Sequence, residues 1–459
     1  MEVLMPERGK KLLIFNNYKF SFAHESQCGK TRWRCAKKTC PAKMYTISNN
    51  IQMDESNLQH NHDEETKQIV RQVLRTSTKR KAIEDTSVRP SKIVLSEIEN
   101  CTSVDTDLLL LNDINQLRDN VYRARRQILP VLPKNINEVH DYLETNDIIT
   151  NTKKENFLLI NNKIDHIIIF STMTNLNFLC LLESIYVDGT FEYCAKHFYQ
   201  LFSIHGYKNN SYVPLVFCLL HDKQKDTYTK TLKSIILYCS DHGLQFKPTR
   251  VIVDFEKGLQ EGIKNTWTDI EIIGCRFHLA QSWWRKIQAL GLSKEYKDNT
   301  SDVGKWLGNI FGIPFLNPEE VGDCFAIDFI SEMPQNNKLI AFSDYIFDTY
   351  ISDDALFPSH MWALRSETVT RTTNAVESFH SHFKNNFYMS HPNIHNFLNV
   401  LLQLQSEVYI KIKSIGTIKT RKQTLVRQNF ILNEIKKYEE GEKTRFEYVQ
   451  SVSCYLKKK

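Results

Sequence analysis

Over the first sixty positions, apolar and polar residues alternate with a period of two. Phe15, Tyr18, Phe20 and Phe22, followed by Trp33 and Tyr45, recur between short polar breaks, which predicts a small antiparallel sheet. The spacing then turns helical. Residues 66–84 hold helix formers in a weak pattern. Ile114, Leu117, Val121 and Tyr122 mark a stronger helix over Asn112–Gln127 that ends before Pro130, with Arg118, Arg123, Arg125 and Arg126 on its basic side. Asn137–Leu143 predicts a further helix with Asn137 as its N-cap. The polar run through Pro90 predicts a flexible hinge near residues 85–105.

From residue 155 the pattern is mixed α/β. Apolar stretches at Ile167–Phe170 and Phe178–Leu182 precede Ile185-Tyr186-Val187-Asp188, a β-branched run with a carboxylate at its end, after which Gly189 permits a turn. Two strands of about ten residues follow, His197–Gly206 and Tyr212–His221. The short break Asn209-Asn210-Ser211 makes them antiparallel neighbours. Next come a helix at Asp226–Cys239, a strand ending in Asp254, a helix at Glu256–Trp267, a strand at Ile270–Gly274 and a helix at Arg276–Leu290. Residues 291–365 read as a helical insertion, and Arg371–Asn386 as a late helix carrying Glu377. Phe397, Val400, Leu401, Leu404 and Val408 form an apolar helical stripe expected to pack on that insertion.

The chain therefore reads as multi-domain. A β-rich module spans 8–66, a linker with bridging helices 67–150, an α/β domain 155–390, and a basic helical tail 391–459. Three antiparallel strands, then helix, strand, helix, strand and helix, is the order of a ribonuclease-H-like domain. In that architecture the first and fourth strands lie side by side, so Asp188 and Asp254 are expected to be neighbours.

The net charge of +6 conceals a partition. Residues 1–62 carry 10 basic and 5 acidic side chains and residues 403–459 carry 13 and 6, whereas residues 131–402 carry 24 and 31. Basic ends around an acidic centre fit a protein that grips a polyanion at its flanks and holds cations in the middle, although well-solvated surface gives the same count. With no run of 18 apolar residues and no signal-peptide pattern, the expectation is a soluble intracellular protein that engages no membrane. Its eleven cysteines are too scattered for a disulfide framework.

Two groups of residues carry chemistry. Cys35 and Cys40, with His60 and His62 twenty positions on, offer two thiolates and two imidazoles for a tetrahedral zinc. The alternative is a buried cysteine pair beside a His-Asn-His surface turn, but the packing of all four into one short aromatic block favours zinc. Asp188, Asp254 and Glu377 offer the oxygen ligands preferred by Mg²⁺ or Mn²⁺, and two such ions suit in-line displacement at phosphorus. Cys275 and His278 share a helix face and, with His380 and His382, are either a further metal site or supporting contacts. Trp283 and Trp284 read as core.

The N-terminal block resembles the FLYWCH zinc finger: Phe15, Tyr18, Trp33, Cys35, Cys40, His60 and His62 stand in its pattern, with Pro41-Ala42 after the second cysteine and Cys28 outside it. The resemblance implies a DNA- or protein-binding module, with Lys30, Arg32, Arg34, Lys37, Lys38 and Lys43 as phosphate contacts. The later block resembles the MULE (Mutator-like element) transposase domain of the DDE class. It does so through Asp188-Gly189-Thr190-Phe191, Val253-Asp254-Phe255-Glu256, Cys275-Arg276-Phe277-His278 and Asn374-Ala375-Val376-Glu377-Ser378-Phe379-His380. That implies a nuclease and strand transferase in which Asp188, Asp254 and Glu377 hold two magnesium or manganese ions. Lys419, Arg421 and Lys422 in the tail would contact DNA, the protein would work in the nucleus, with Lys79-Arg80-Lys81 as a candidate import signal, and a homodimer on DNA is a further expectation. The rival expectations are a domesticated DNA-binding regulator that no longer catalyses and a zinc-dependent protein-interaction module.

Overall fold

The computed structural model describes residues 2–4, 11–27, 29–47, 50–51, 56–86, 88–101, 106–209, 211–366, 374–416 and 422–457, with the backbone alone at 2–4, 106, 374–377 and 456–457. It divides into two compact units, the first 1–132 with 386–388 and the second 133–385 with 389–459.

In the first unit β1 (Glu2–Leu4), β2 (Leu12–Phe15), β3 (Tyr18–Glu25), β4 (Lys30–Cys35), β5 (Lys43–Ile47) and β6 (Asn50–Ile51) form one antiparallel sheet in chain order. Asn16 and Asn17, at φ 47° and 62°, make the tight turn that joins β2 to β3, and asparagine tolerates that left-handed region. The period-two pattern buries Phe20, Trp33 and Met44 with Leu13, Cys35 and Ala42. Trp33 Nε1 donates to Thr46 Oγ1 at 3.0 Å, so the indole is satisfied inside this core.

Three helices complete the unit: α1 (Thr66–Glu84), α2 (Pro90–Asn100) and α3 (Leu111–Ile128). The expected hinge is in large part α2. Proline at the first helical position starts it, and Ile93 and Val94 dock against Val70, Leu74, Leu117 and Val121. Its polar composition hid the two apolar residues that suffice to seat it; residues 102–105 of the expected hinge lie outside the described residues. Arg125 also departs from expectation. It does not join the basic side of α3 but is buried, donating to the carbonyl oxygens of Ala82 (3.4 Å), Asp85 (2.8 Å) and Val88 (2.6 Å). One guanidinium thus satisfies the carbonyls of the α1–α2 turn.

The second unit opens with α4 (Ile136–Thr145), whose N-cap is Asn135 and not Asn137: the Asn135 side chain accepts from Glu138 N at 3.0 Å. Strands β7 (Leu158–Asn162) and β8 (Ile167–Phe170) lead to α5 (Met173–Leu179), which takes up the start of the second apolar stretch. Then follow β9 (Ser184–Thr190), β10 (Gln200–Lys208), β11 (Ser211–Leu220), α6 (Lys225–Asp241), β12 (Arg250–Val253), α7 (Lys257–Lys264), β13 (Glu271–Gly274) and α8 (Arg276–Ala289). The sheet runs β13-β12-β9-β10-β11-β8-β7. Parallel pairs join β9, β12 and β13, and the remaining pairs are antiparallel, so the sheet is mixed.

Alternation along the strands splits the sheet into two faces. Ile185, Val187, Phe202, Ile204, Val251 and Val253 enter the main core with Leu232 and Ile235 of α6 and Leu259 and Ile263 of α7. Tyr186 and Ile252 point the other way, to a cluster with Ile273 and Cys275.

The remaining helices are α9 (Ser293–Lys297), α10 (Asp302–Asn309), α11 (Pro318–Asp323), α12 (Asn337–Ile346), α13 (Asn374–Asn385), α14 (Ile394–Lys413), α15 (Lys422–Glu439) and α16 (Arg445–Lys457). The apolar stripe of α14 packs on β11 and not on the insertion. Buried Gln405 of α14 exchanges two 2.9 Å amide hydrogen bonds with Asn175 of α5, and Tyr409 donates to Glu155 at 2.6 Å. It is α15 and α16 that hold the insertion. Tyr448 donates to Phe315 O (3.1 Å), Arg445 pairs with Asp328 (2.7 Å), and Glu320 accepts from Tyr438 (2.6 Å) and Arg365 (2.8 Å).

A Cβ on Gly312 would stand 2.3 Å from the carbonyl oxygen of Val449, whereas one on Gly322, in α11, would meet nothing within 4 Å. Gly312→Ala is therefore expected to cost about 1–3 kcal/mol by forcing α16 off the insertion. Gly322→Ala is expected to gain up to about 1 kcal/mol from helix propensity. Urea unfolding of the two variants, measured side by side, checks the contrast.

Candidate functional site

The metal-ligand group of the first unit is assembled from a strand end and two loops. Cys35 closes β4, Cys40 lies in the connection to β5, and His60 and His62 precede α1. One donor atom from each lies within 4.8 Å of all the others, and this is the one such group of three or more among the described residues. Cys35 Sγ stands 3.2 Å from His62 Nε2, and Cys40 Sγ stands 3.4 Å from His60 Nδ1. A tetrahedral zinc with ordinary Zn–S and Zn–N bonds needs S···N edges of about 3.5 Å, so the cage fits that ion. Two further contacts fix the rings. His62 Nδ1 lies 2.8 Å from Asp63 O, which selects Nε2 as the free donor, and Tyr18 stacks on His60 at 3.5 Å and 4°. Burial pushes the Cys35 thiol up to about 11. At Cys40 burial acts in the same direction, but backbone N–H donors at Ala42 and Asn61 outweigh it and bring the thiol below its ordinary value.

The same sheet organises the basic residues. In the β4–β5 register Arg32 pairs with Tyr45 and Arg34 with Lys43, and Lys30 stands two positions from Arg32. Alternation puts Lys30, Arg32, Arg34, Lys43 and Tyr45 on the face opposite Trp33 and Met44. The ammonium groups of Lys30 and Lys43 lie 5.0 and 6.0 Å from the Tyr45 ring centroid. Lys37 and Lys38 are exposed on the connection after Cys35.

In the second unit, Asp188 lies in β9 and Asp254 directly follows the adjacent parallel strand β12. Tyr186 is in register with Ile252, and each aspartate follows two residues later on its own chain segment. Asp188 is not at a strand end. β9 continues to Thr190, and Gly189 pairs with Phe202 in extended backbone. A Cβ there would stand 2.5 Å from Gln200 Oε1, so a larger residue would require the end of that side chain to shift.

Asp188 is 6% exposed. Its Oδ1 accepts from Gly189 N at 2.8 Å, and its Oδ2 lies 3.2 Å from His380 Nε2 of α13. The imidazole thus approaches the carboxylate closely without an aligned hydrogen bond from Nε2 among the described residues, and the contact is ionic only when the ring is protonated. Burial raises the Asp188 carboxyl, yet His380, His278 and the Gly189 amide together hold it below its usual value. Asp254 is the more open acid, with His278 Nδ1 of α8 at 3.6 Å from its Oδ1. Each aspartate therefore faces one histidine. Glu377 lies on α13 three residues before His380, and its side chain is outside the described residues.

Cys275 parts from His278. It caps α8 and is buried with Tyr186, Ile252 and Ile273, whereas His278 turns to Asp254 and His380 to Asp188. His382 sits 3.6 Å from Glu407 on an exposed surface. Trp283 is in the core against Phe311 and Trp362, and Trp284 packs on Tyr296. In the tail, Lys422 is exposed at the start of α15, and Lys419 and Arg421 lie outside the described residues.

Two further residues stand near the acids: His205, which no motif singled out, and Glu256, which closes the Val253–Glu256 motif and reads as a helix-start acid. His205 of β10 is buried, its Nε2 lies 2.8 Å from Ser203 Oγ, and burial drives its pKa down to about 3, which keeps it neutral. A histidine inside an apolar strand was its signal. Glu256 caps α7 and accepts from Tyr228 Oη at 3.0 Å; burial raises its carboxyl, with Asp254 and Asp188 adding to the effect.

Withdrawing metal with a chelator, or replacing Cys40 by serine, is expected to release about one zinc per chain and to loosen the core around Trp33. Amide exchange at Phe20, Trp33 and Met44 should accelerate by at least about tenfold while β9 and β10 stay protected. Equal protection with and without metal would show that the finger core stands without the ion.

No curated protein matches the chain in sequence. Two domain families do. Residues 3–62 match the FLYWCH zinc finger domain and residues 184–282 match the MULE transposase domain. The first match contains Cys35, Cys40, His60 and His62, and the second contains Asp188, Asp254 and His278. The chain carries a FLYWCH zinc finger domain followed by a MULE transposase domain.

Proposed function

We propose that this protein binds DNA through its zinc finger and cuts and rejoins DNA at a DDE centre formed by Asp188, Asp254 and Glu377. The observation that carries the reading is that Asp188 lies in β9 and Asp254 directly follows the adjacent parallel strand β12, each two residues beyond the Tyr186–Ile252 pair and each near a histidine. The strand order β11-β10-β9-β12-β13, antiparallel and then parallel, supports a ribonuclease-H-like domain.

The carboxylates suit Mg²⁺ or Mn²⁺, which take oxygen ligands and keep positions for water and phosphate. When bound there, such ions lower the pKa of an attacking water or 3′-hydroxyl and offset charge on the leaving oxygen. The chain's own residues hold that arrangement. Gly189 N fixes one oxygen of Asp188, His380 flanks the other, and His278 flanks Asp254. Neutral His205 lies under Phe379, with ring centroids 5.0 Å apart, and supports α13 from below. Cys275 serves packing in this reading.

DNA phosphates are gripped by Lys30, Arg32, Arg34 and Lys43 on the β4–β5 face and by Lys37 and Lys38, with Lys419, Arg421 and Lys422 as an arm in the tail. The zinc is structural. Work on DNA places the protein in the nucleus, and a dimer would bring two such centres to paired DNA ends.

With Mg²⁺ or Mn²⁺ and DNA carrying the element's terminal repeats, the chain is expected to nick at the ends, and Asp188→Asn to reduce nicking by at least about a thousandfold while leaving DNA affinity intact. Tight binding of those ends with no cutting under either metal would leave a DNA-binding regulator. Binding should also depend on salt. Replacing Arg32 and Arg34 by alanine is expected to flatten the log K against log salt slope by about 2, at the level of one unit per phosphate contact. An unchanged slope would remove that face from the DNA contact.

A further inference from the structure

Helix α1 carries six cations from Lys67 to Lys81, and its first acid is Glu84. One side of it is apolar and buried, with Ile69, Val70, Val73 and Leu74. On the other side Gln68, Arg71, Gln72, Arg75, Thr76 and Lys79 recur at intervals of three and four residues. They form one stripe, exposed or half-exposed along its length, and no acid interrupts it. The acids that flank the helix are engaged elsewhere, Glu65 with Lys19 and Lys37, and Glu84 with Arg80 and Lys81. A merely solvated helix face gains from mixing both signs at i,i+4 spacing, and this stripe forgoes that gain.

The stripe also stands beside the basic strands. Ile69 and Val73 pack on Leu12 and Ile14 of β2. Alternation puts those two on the sheet face opposite Leu13, Phe20 and Cys35, and Arg34 and Lys43 lie on that same face. Helix and basic strands therefore share one side of the finger sheet. Arg71 Nη2 lies 2.6 Å from the buried Asp113 carboxylate, which holds the guanidinium in one orientation. The residue types decide what such a face fits. Contact with phosphate needs charge alone, and the glutamines between the cations add none. Arginine and glutamine are the side chains that pair with guanine and adenine edges through two parallel hydrogen bonds, and the DNA major groove admits one α-helix. The deep, narrow major groove of double-stranded RNA does not. From Gln68 to Lys79 the stripe runs roughly 17 Å, the rise of about five base pairs.

We propose that α1 is a sequence-reading helix that lies in the major groove of duplex DNA. Gln68, Arg71, Gln72 and Arg75 face base edges, Lys79 contacts the backbone, and Arg34 and Lys43 hold adjoining phosphates. This rests on the DNA reading above and adds to it a choice of sequence, which phosphate contacts do not supply.

The test uses the full zinc-loaded chain without added Mg²⁺ or Mn²⁺, so that binding is scored apart from cutting. Duplexes with a randomised centre are selected on the protein and sequenced, and the enriched duplex is then compared with a scrambled one over a range of salt. A contiguous site of about five base pairs is expected, bound at least about a hundredfold more tightly than the scrambled duplex. Gln72→Ala and Arg75→Lys are the decisive variants, used where their thermal melts match the parent. Neither removes a charge, so the salt slope is expected to hold. Each is expected to lower the preference for the enriched duplex by about tenfold and to erase selection at one base position. A helix that touches only phosphates would leave the preference indifferent to both changes, and that result overturns the proposal. Retention of duplex with no enriched sequence overturns it too, as does an equal loss on both duplexes. A chain that retains no duplex even at low salt overturns the DNA reading itself, and the α1 assignment with it.

Discussion

The pairing of β9 with β12 is the constraint on which the second unit depends. Tyr186 lies opposite Ile252, and that register places Ile185, Val187, Val251 and Val253 together in the main core. Because the side-chain period of a strand is two, the same register turns Asp188 and Asp254 away from that core and toward α13 and the start of α8. A slip of one residue on either strand would bury a carboxylate among the helices α6 and α7 and expose a valine. The hydrophobic core therefore fixes where the acids stand, and no contact between the acids themselves is needed to align them.

Burial of a carboxylate carries a desolvation cost, and Asp188 meets it locally. Its partners are one backbone amide, from Gly189, and one imidazole, from His380, and they suffice to hold the carboxyl below its ordinary value. The amide is available because β9 runs on through Gly189, which pairs with Phe202 of β10. The imidazole comes from a helix nearly two hundred residues later. Phe379, beside it, packs on His205 and Phe217 and so fixes how α13 lies on this face of the sheet. An apolar contact and a polar one on consecutive residues thus do different work: the first seats the helix and the second meets the acid.

Much of this was legible in the sequence wherever one local rule decided the outcome. The β-rich module followed from aromatic alternation, and the four zinc ligands from residue type and spacing. The mixed sheet followed from apolar runs separated by short polar breaks. What the sequence hid was decided by distant partners. Arg125 reads as one of four basic residues on a helix side, and only the carbonyls of Ala82, Asp85 and Val88 draw it inside. The Asp188-Gly189 dipeptide reads as a turn, and only its pairing with Phe202 of the next strand keeps it extended. The stripe of α14 is plain as a stripe, but nothing within it says that Asn175 and β11, not the insertion, lie beneath. His205 shows the same limit: a histidine in an apolar strand is visible, and its enforced neutrality is not.

The insertion and the tail show why such long-range choices are stable once made. Helix α16 meets Gly312 so closely that a methyl group would collide with the Val449 carbonyl, and Tyr448 donates from the same turn to Phe315 O. Glu320 accepts from Tyr438 of α15 and from Arg365 at the end of the insertion, and Arg365 also lies 3.6 Å from Glu439 of α15, so a small network of charges ties that helix to the insertion.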